Sequence, residues 1–160
     1  MPIKVGERLP EAKFRVMTPE GPAWKTTDDI FKGKKVALFA VPGAFTSTCH
    51  RTHVPSIVEN AAALKAKGVS TIAVTSVNDV FVMDAWQKAS GADNVEFLAD
   101  GNADFTKAVD LAFDASGNGL GIRSRRYAML VDDGVVKMLN IEEAPGKVEV
   151  SGGGALLKQL

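Results

Sequence analysis

The stretch that most restricts how this chain can fold runs from residue 35 to residue 53. Val36 to Val41 is a short, unbroken apolar run, the pattern of a strand buried on both faces. Pro42 and Gly43 then break it, and Thr46, Ser47 and Thr48 provide three successive side chains suited to capping a helix start. Cys49, the only cysteine in 160 residues, follows at once. With Thr46 as the cap, Cys49 falls in the first helical turn. There the unpaired backbone N–H groups and the positive end of the helix dipole favour a thiolate over a thiol. The pattern therefore predicts a nucleophilic sulfur at a strand-to-helix turn rather than a small buried packing residue.

A chain of this length holds one domain, residues 1–160, with a core large enough to need no staples. Nineteen basic and nineteen acidic side chains cancel, so nothing in the charge predicts binding to nucleic acid or an anionic membrane. A lone cysteine makes no intrachain disulfide, and the first residues contain no apolar signal region. A cytoplasmic protein is the expectation.

Along the chain, the weak alternation of residues 12–18, the turn at Pro19 to Pro22 and residues 23–27 predict an N-terminal hairpin. A helix is expected from Ser47 to about Lys67, kinked where Pro55 deprives the Arg51 carbonyl of its partner. Val69 to Thr75 reads as a second buried strand. Asn78 or Asp79 caps a helix reaching about Ser90, with Val80, Met83 and Trp86 or Gln87 on one stripe. Val95 to Leu98 predicts a third strand and residues 102–109 a helix. Phe113 to Gly121 predicts a glycine-rich loop, and Asp132-Asp133-Gly134 a hairpin turn between residues 125–131 and 135–141. Residues 142–151 are irregular, and a short helix, 155–160, ends the chain. This order gives an α/β, thioredoxin-like fold: a mixed central sheet with helices on both faces and an N-terminal β-hairpin extension. A dithiol C-x-x-C motif would place a cysteine at position 46. Thr46 stands there, so the chemistry rests on one sulfur.

Several groups could tune that sulfur. Thr46 lies on the face of Cys49, so its hydroxyl can reach the sulfur or a bound oxygen. Pro42 can shield the sulfur from bulk water. The backbone N–H groups of Thr48 and Cys49 can bind a polarised oxygen. An arginine from Arg123, Arg125 or Arg126 would lower the thiol's pKa and stabilise charge on a leaving oxygen. Cys49, His50 and His53 also allow a metal reading, disfavoured for want of a fourth ligand, with His53 otherwise a packing or surface histidine.

Pro42 to Cys49, P-G-A-F-T-S-T-C, resembles the P-x-x-x-T-x-x-C signature of the peroxiredoxins. Cys49 to Pro55 and Gly119 to Ala128, with Asp133-Gly134 after them, resemble the type II, peroxiredoxin-five-like branch, and the similarity spans nearly the whole chain. The resemblance implies that Cys49 is the peroxidatic cysteine, Thr46 the peroxide-orienting hydroxyl and Pro42 the shielding proline. It also selects Arg126 over Arg125 as the activating guanidinium. Two departures stand out: Ser47 replaces a proline common in the family, and residues 142–151 lack the second cysteine of internally resolving members.

The resemblance thus implies a peroxidase that reduces H2O2 and organic hydroperoxides through a Cys49 sulfenic acid. With no resident metal or organic cofactor, it would be reduced by glutathione with glutaredoxin, or by thioredoxin. A peroxide sensor or relay that passes oxidation to a partner protein uses the same intermediate and is the alternative. A homodimer with Trp86 near its contact is expected, as is a hydroperoxide entrance shaped by Phe113 to Gly121, with Leu120 and Ile122 favouring apolar tails.

Overall fold

The computed structural model describes residues 1–160. Seven strands form one mixed sheet. β1 (Lys13–Thr18) and β2 (Gly21–Thr26) make the N-terminal hairpin, and α1 (Thr27–Phe31) follows it. β3 (Lys35–Ala40), β4 (Thr71–Ser76) and β5 (Glu96–Ala99) run parallel, while β8 (Tyr127–Asp132) and β9 (Val135–Ile141) return antiparallel beside β3. The sheet order is β2-β1-β5-β4-β3-β8-β9. The hairpin is therefore a continuation of the main sheet, joined where Arg15 of β1 pairs with Ala99 of β5. Asp133 and Gly134, both at positive φ, make the tight β8–β9 turn that the sequence predicts.

Strand periodicity sorts the core into two layers. Ala37, Phe39 and Val41 face one side with Ala128 and Leu130 of β8; Val36, Leu38 and Ala40 face the other with Tyr127, Met129 and Val131. The first side is covered by α2 (Val54–Ala66), α3 (Val80–Ala89) and α5 (Gly153–Lys158). The second is covered by α1 and by α4 (Asp104–Ala108), through Ile30, Phe31 and Phe105. Helices do lie on both faces of the sheet.

Three local expectations change. The segment predicted as a loop, Phe113 to Gly121, is partly ordered by a second, two-stranded sheet, β6 (Ala112–Asp114) against β7 (Ile122–Ser124). The residues are too few and too polar for a period-2 pattern to show. The last helix, expected over 155–160, begins at Gly153, which is buried; a Cβ there would lie 2.6 Å from the Ser56 carbonyl oxygen of α2. The kink expected at Pro55 takes the form of a widened π-turn over Cys49–His53, in which the Val54 N–H reaches back to the Cys49 carbonyl. A π-turn inserts a residue without breaking the helix, and here it sits just ahead of the proline whose ring would crowd the Arg51 carbonyl.

Candidate active site

The sheet places the pole of the site by register. Ala40 of β3 pairs with Tyr127 of β8, so one further step sets Arg126 across from Val41, beside the turn at Pro42. Arg126 also has the parity of Ala128 and Leu130, the side covered by α2. Arg125 has the opposite parity. Alternation alone therefore distinguishes the two arginines once the covering helix is known.

Helical backbone begins at residue 47, so Thr46 occupies the cap position and Cys49 lies in the first turn, as expected. Cys49 has no exposed surface, and Arg126 Nη2 donates to its Sγ at 3.0 Å. The same guanidinium donates through Nε to the Pro145 carbonyl (2.9 Å) and through Nη1 to His53 Nδ1 (2.8 Å). Three of its five N–H groups are thereby committed, leaving two for a bound oxygen. Arg126 is 3% exposed, so these charge-assisted bonds act with little competition from water.

Thr46 does not cap with its side chain and does not touch the sulfur: its hydroxyl donates to the Gly43 carbonyl at 2.7 Å. With its proton committed, the oxygen presents lone pairs to any incoming O–H. The Thr48 and Cys49 N–H groups have no partner within the chain. Pro42 is buried, and its carbonyl accepts from Arg123 Nη1 at 3.3 Å while Arg123 Nε donates to the Leu120 carbonyl. Arg123 thus clips the 113–121 segment to the Pro42 turn. Arg125 makes no side-chain hydrogen bond; it lines a cavity of about 200 Å³ together with Arg126, Glu142 and Pro145. Of the three clustered arginines, only Arg126 reaches Cys49.

The two histidines part company. His53, read from sequence as a metal ligand or a packing residue, is fully buried, and both ring nitrogens are taken. Ser151's carbonyl can only accept, so Nε2 carries the proton (2.7 Å) and Nδ1 accepts from Arg126. Burial, reinforced by the Arg126 charge, pushes its pKa down to about 4, so the ring is neutral at pH 7. Its role is to hold one arm of Arg126. His50 instead accepts from Trp86 Nε1 at 3.0 Å and stacks near Phe45. Both His53 ring nitrogens and His50 Nδ1 are engaged within the protein, and no three His, Cys, Asp or Glu side chains are grouped to hold a metal ion. Trp86, expected near a subunit contact, is wholly buried; the exposed aromatics on this side are Phe45 (49%) and Phe81 (66%).

The arrangement is a buried sulfur paired with a guanidinium, at a helix start with free amides and a hydroxyl acceptor. The redoxin family matches residues 4–157 of this chain. The chain is a peroxiredoxin of the redoxin family. This peroxiredoxin is 47% identical over 161 residues to peroxiredoxin-2C of Oryza sativa subsp. japonica, covering 99% of each chain. It is 47% identical over 163 residues to the chloroplastic peroxiredoxin-2E of Arabidopsis thaliana, covering 99% of this chain and 69% of the relative. Reduced Prx3 of Vibrio vulnificus in complex with H2O2 superposes with a TM-score of 0.94 at 50% identity over 98% of both chains. Like its relatives, this peroxiredoxin is a thiol-dependent peroxidase with a thioredoxin-like fold. No helix is long and apolar enough to cross a membrane.

Proposed function

We propose that Cys49 reduces H2O2 and organic hydroperoxides by a one-cysteine cycle. The thiolate attacks the distal peroxide oxygen; the S–O bond forms as the O–O bond breaks, and the departing alkoxide or hydroxide takes up a proton. Cys49 leaves as a sulfenic acid. The observation that carries this reading is the 3.0 Å contact of Arg126 Nη2 with Sγ, because the same guanidinium that stabilises the thiolate has N–H groups left for the leaving oxygen. The Thr48 and Cys49 amides complete the oxyanion side, and Thr46 accepts from the peroxide O–H, lining the two oxygens up with the sulfur. Pro42, buried beside them, keeps bulk water out.

Reduction needs an external thiol, since the chain has no second cysteine. One thiol displaces water from the sulfenic acid to give a mixed disulfide, and a second releases Cys49. Glutathione with glutaredoxin, or thioredoxin, fits that need. A disulfide requires sulfurs about 2 Å apart, so the buried Cys49 must become accessible before the reductant can reach it. Exposed Phe45 and Phe81 support a homodimer contact on this side of the molecule, and Leu120 and Ile122, both exposed, offer apolar surface for an alkyl tail. The single cysteine fits a reducing compartment such as the cytoplasm, although the plant relatives include a chloroplastic form.

Mass spectrometry after one equivalent of peroxide should show one added oxygen and no disulfide. Peroxidase activity surviving in Cys49→Ser would reject the mechanism. A glutathione–glutaredoxin assay run beside a thioredoxin assay identifies the reductant.

A further inference from the structure

One buried ionisable group near the site takes no part in the chemistry above. Glu142 is the first residue past β9 and is 5% exposed. Its Oε2 accepts four hydrogen bonds: from the N–H groups of Glu149, Val150 and Ser151, each at 2.8 Å, and from the Ser151 hydroxyl at 2.6 Å. Its backbone N–H donates to the Arg126 carbonyl at 2.9 Å. One carboxylate therefore closes the base of an excursion, residues 143–151, that begins and ends beside it.

That excursion holds the catalytic machinery at three points. The Pro145 carbonyl takes Arg126 Nε, the Ser151 carbonyl takes His53 Nε2, and the Gly146 carbonyl takes the Thr48 hydroxyl at 3.4 Å. His53 in turn holds Arg126 Nη1. Two of the three bonds that fix the guanidinium thus trace back to a segment whose only multiple anchor is Glu142. Segments held by a few hydrogen bonds lose their geometry when the shared acceptor is removed, because each freed amide seeks a different partner.

We infer that Glu142 is a positioning residue of the peroxidase site: by tying down residues 149–151 it sets where the Arg126 guanidinium points, and so how strongly Arg126 acts on Cys49. Glu142 never touches the peroxide. Burial opposes its ionisation, but the hydrogen bonds from Ser151, Val150 and Glu149 outweigh it and hold the carboxyl below its ordinary range, so the anchor is charged at neutral pH. The groups facing it are Arg126 and His53 from the site and Glu143 and Arg125 around the adjoining cavity.

The inference rests on the peroxidase reading, and the test separates the two. The rate of Cys49 oxidation by H2O2 and the pH midpoint of Cys49 alkylation by iodoacetamide are measured on the full chain. Wild type, Glu142→Ala, Glu142→Gln, Ser151→Ala and Thr26→Ala are compared, with Cys49→Ser as the blank. Glu142→Ala should slow oxidation by about ten- to a hundred-fold, the scale of a misaligned catalytic group, and raise the alkylation midpoint. Glu142→Gln, which keeps an acceptor but no charge, should fall between it and wild type, and Ser151→Ala should show the smallest change. Thr26→Ala removes a helix cap far from the site; it should lower the melting temperature with the midpoint unmoved, which is what a purely structural role looks like.

A folded Glu142→Ala with the wild-type rate, or with a lower rate but an unmoved midpoint, overturns the inference. If that variant does not fold, wild-type rates and midpoints in both Glu142→Gln and Ser151→Ala overturn it equally. A wild-type protein that peroxide fails to oxidise would instead defeat the peroxidase reading itself.

Discussion

Asp100 and Glu142 are both buried carboxylates that collect amide hydrogen bonds just past the end of a strand, yet their environments drive them in opposite directions. Asp100, after β5, accepts from the Phe105 and Thr106 N–H groups and from the Thr106 hydroxyl, and so organises the start of α4 on the second face of the sheet. Desolvation wins there: burial raises its pKa despite the three hydrogen bonds. Glu142, with four bonds converging on one oxygen, is held below the ordinary range although burial opposes it. Burial weighs on both carboxylates: at Glu142 the converging donors outweigh it, and at Asp100, the more deeply buried of the two, they do not. The consequence differs as well. What Asp100 orders is a short helix whose Phe105 packs against Phe14. What Glu142 orders is the strap that carries Arg126 and His53.

The largest expected effect removes the group that the Glu142 side exists to hold. Arg126→Ala should lower the rate of Cys49 oxidation by about a hundred- to a thousand-fold, the usual cost of one preorganised donor to a developing oxyanion. A loss below ten-fold, measured by stopped-flow fluorescence or competition, would mean that the 3.0 Å contact is incidental. Next comes the neutral histidine of the same network. Its folded pKa, about 4, is depressed from the ordinary 6.5, so between those values the unfolded chain binds more protons. Stability contributed by the neutral ring is therefore complete above about pH 6.5 and is lost as pH falls towards 4, by up to about 3 kcal/mol. Urea unfolding across that window should show this slope, and His53→Gln should flatten it.

The smaller effects sharpen the contrast between the carboxylates. Asp100→Asn should change stability by about 1 kcal/mol, the worth of a typical hydrogen bond, with the pH midpoint of Cys49 alkylation unchanged. Because the Asp100 pKa is raised, its contribution is present at acid pH and declines as pH rises through the folded value, and the variant should lose that dependence. A shifted alkylation midpoint would break the proposed division between the two faces. Smallest is Thr26→Ala, which deletes the capping box on α1 and should cost about 1 kcal/mol or less, read as a lower urea midpoint with no change in peroxidase rate.

Much of this molecule is legible in local sequence. The apolar run ahead of Pro42, the helix start around Cys49, the Asp79 cap, which accepts from the Val82 N–H, and the Asp133-Gly134 turn are all short-range features with short-range causes. Three things were not legible. The π-turn arises from competition between Pro55 and the helix around it, which residue pattern registers only as a disturbance. Trp86 sits at the helical spacing of both a core and an interface residue, and only the fold buries it. Residues 142–151 have no periodicity at all, because their order comes from one distant-facing carboxylate and from carbonyls that bond to side chains.

The sequence by itself determined that a lone sulfur stands at the first turn of a helix after a buried strand, since a strand, a turn and a cap are each specified by neighbours a few residues apart. Local pattern left three arginines open and the family resemblance pointed to Arg126; only the tertiary structure decided why that one meets the sulfur and what steadies it. Arg126 and Cys49 are 77 positions apart and His53 and Ser151 are 98 apart. Their meeting depends on the pairing of β3 with β8 and on the side of the sheet that α2 covers, and pairing across such separations is set by the whole core rather than by any local pattern.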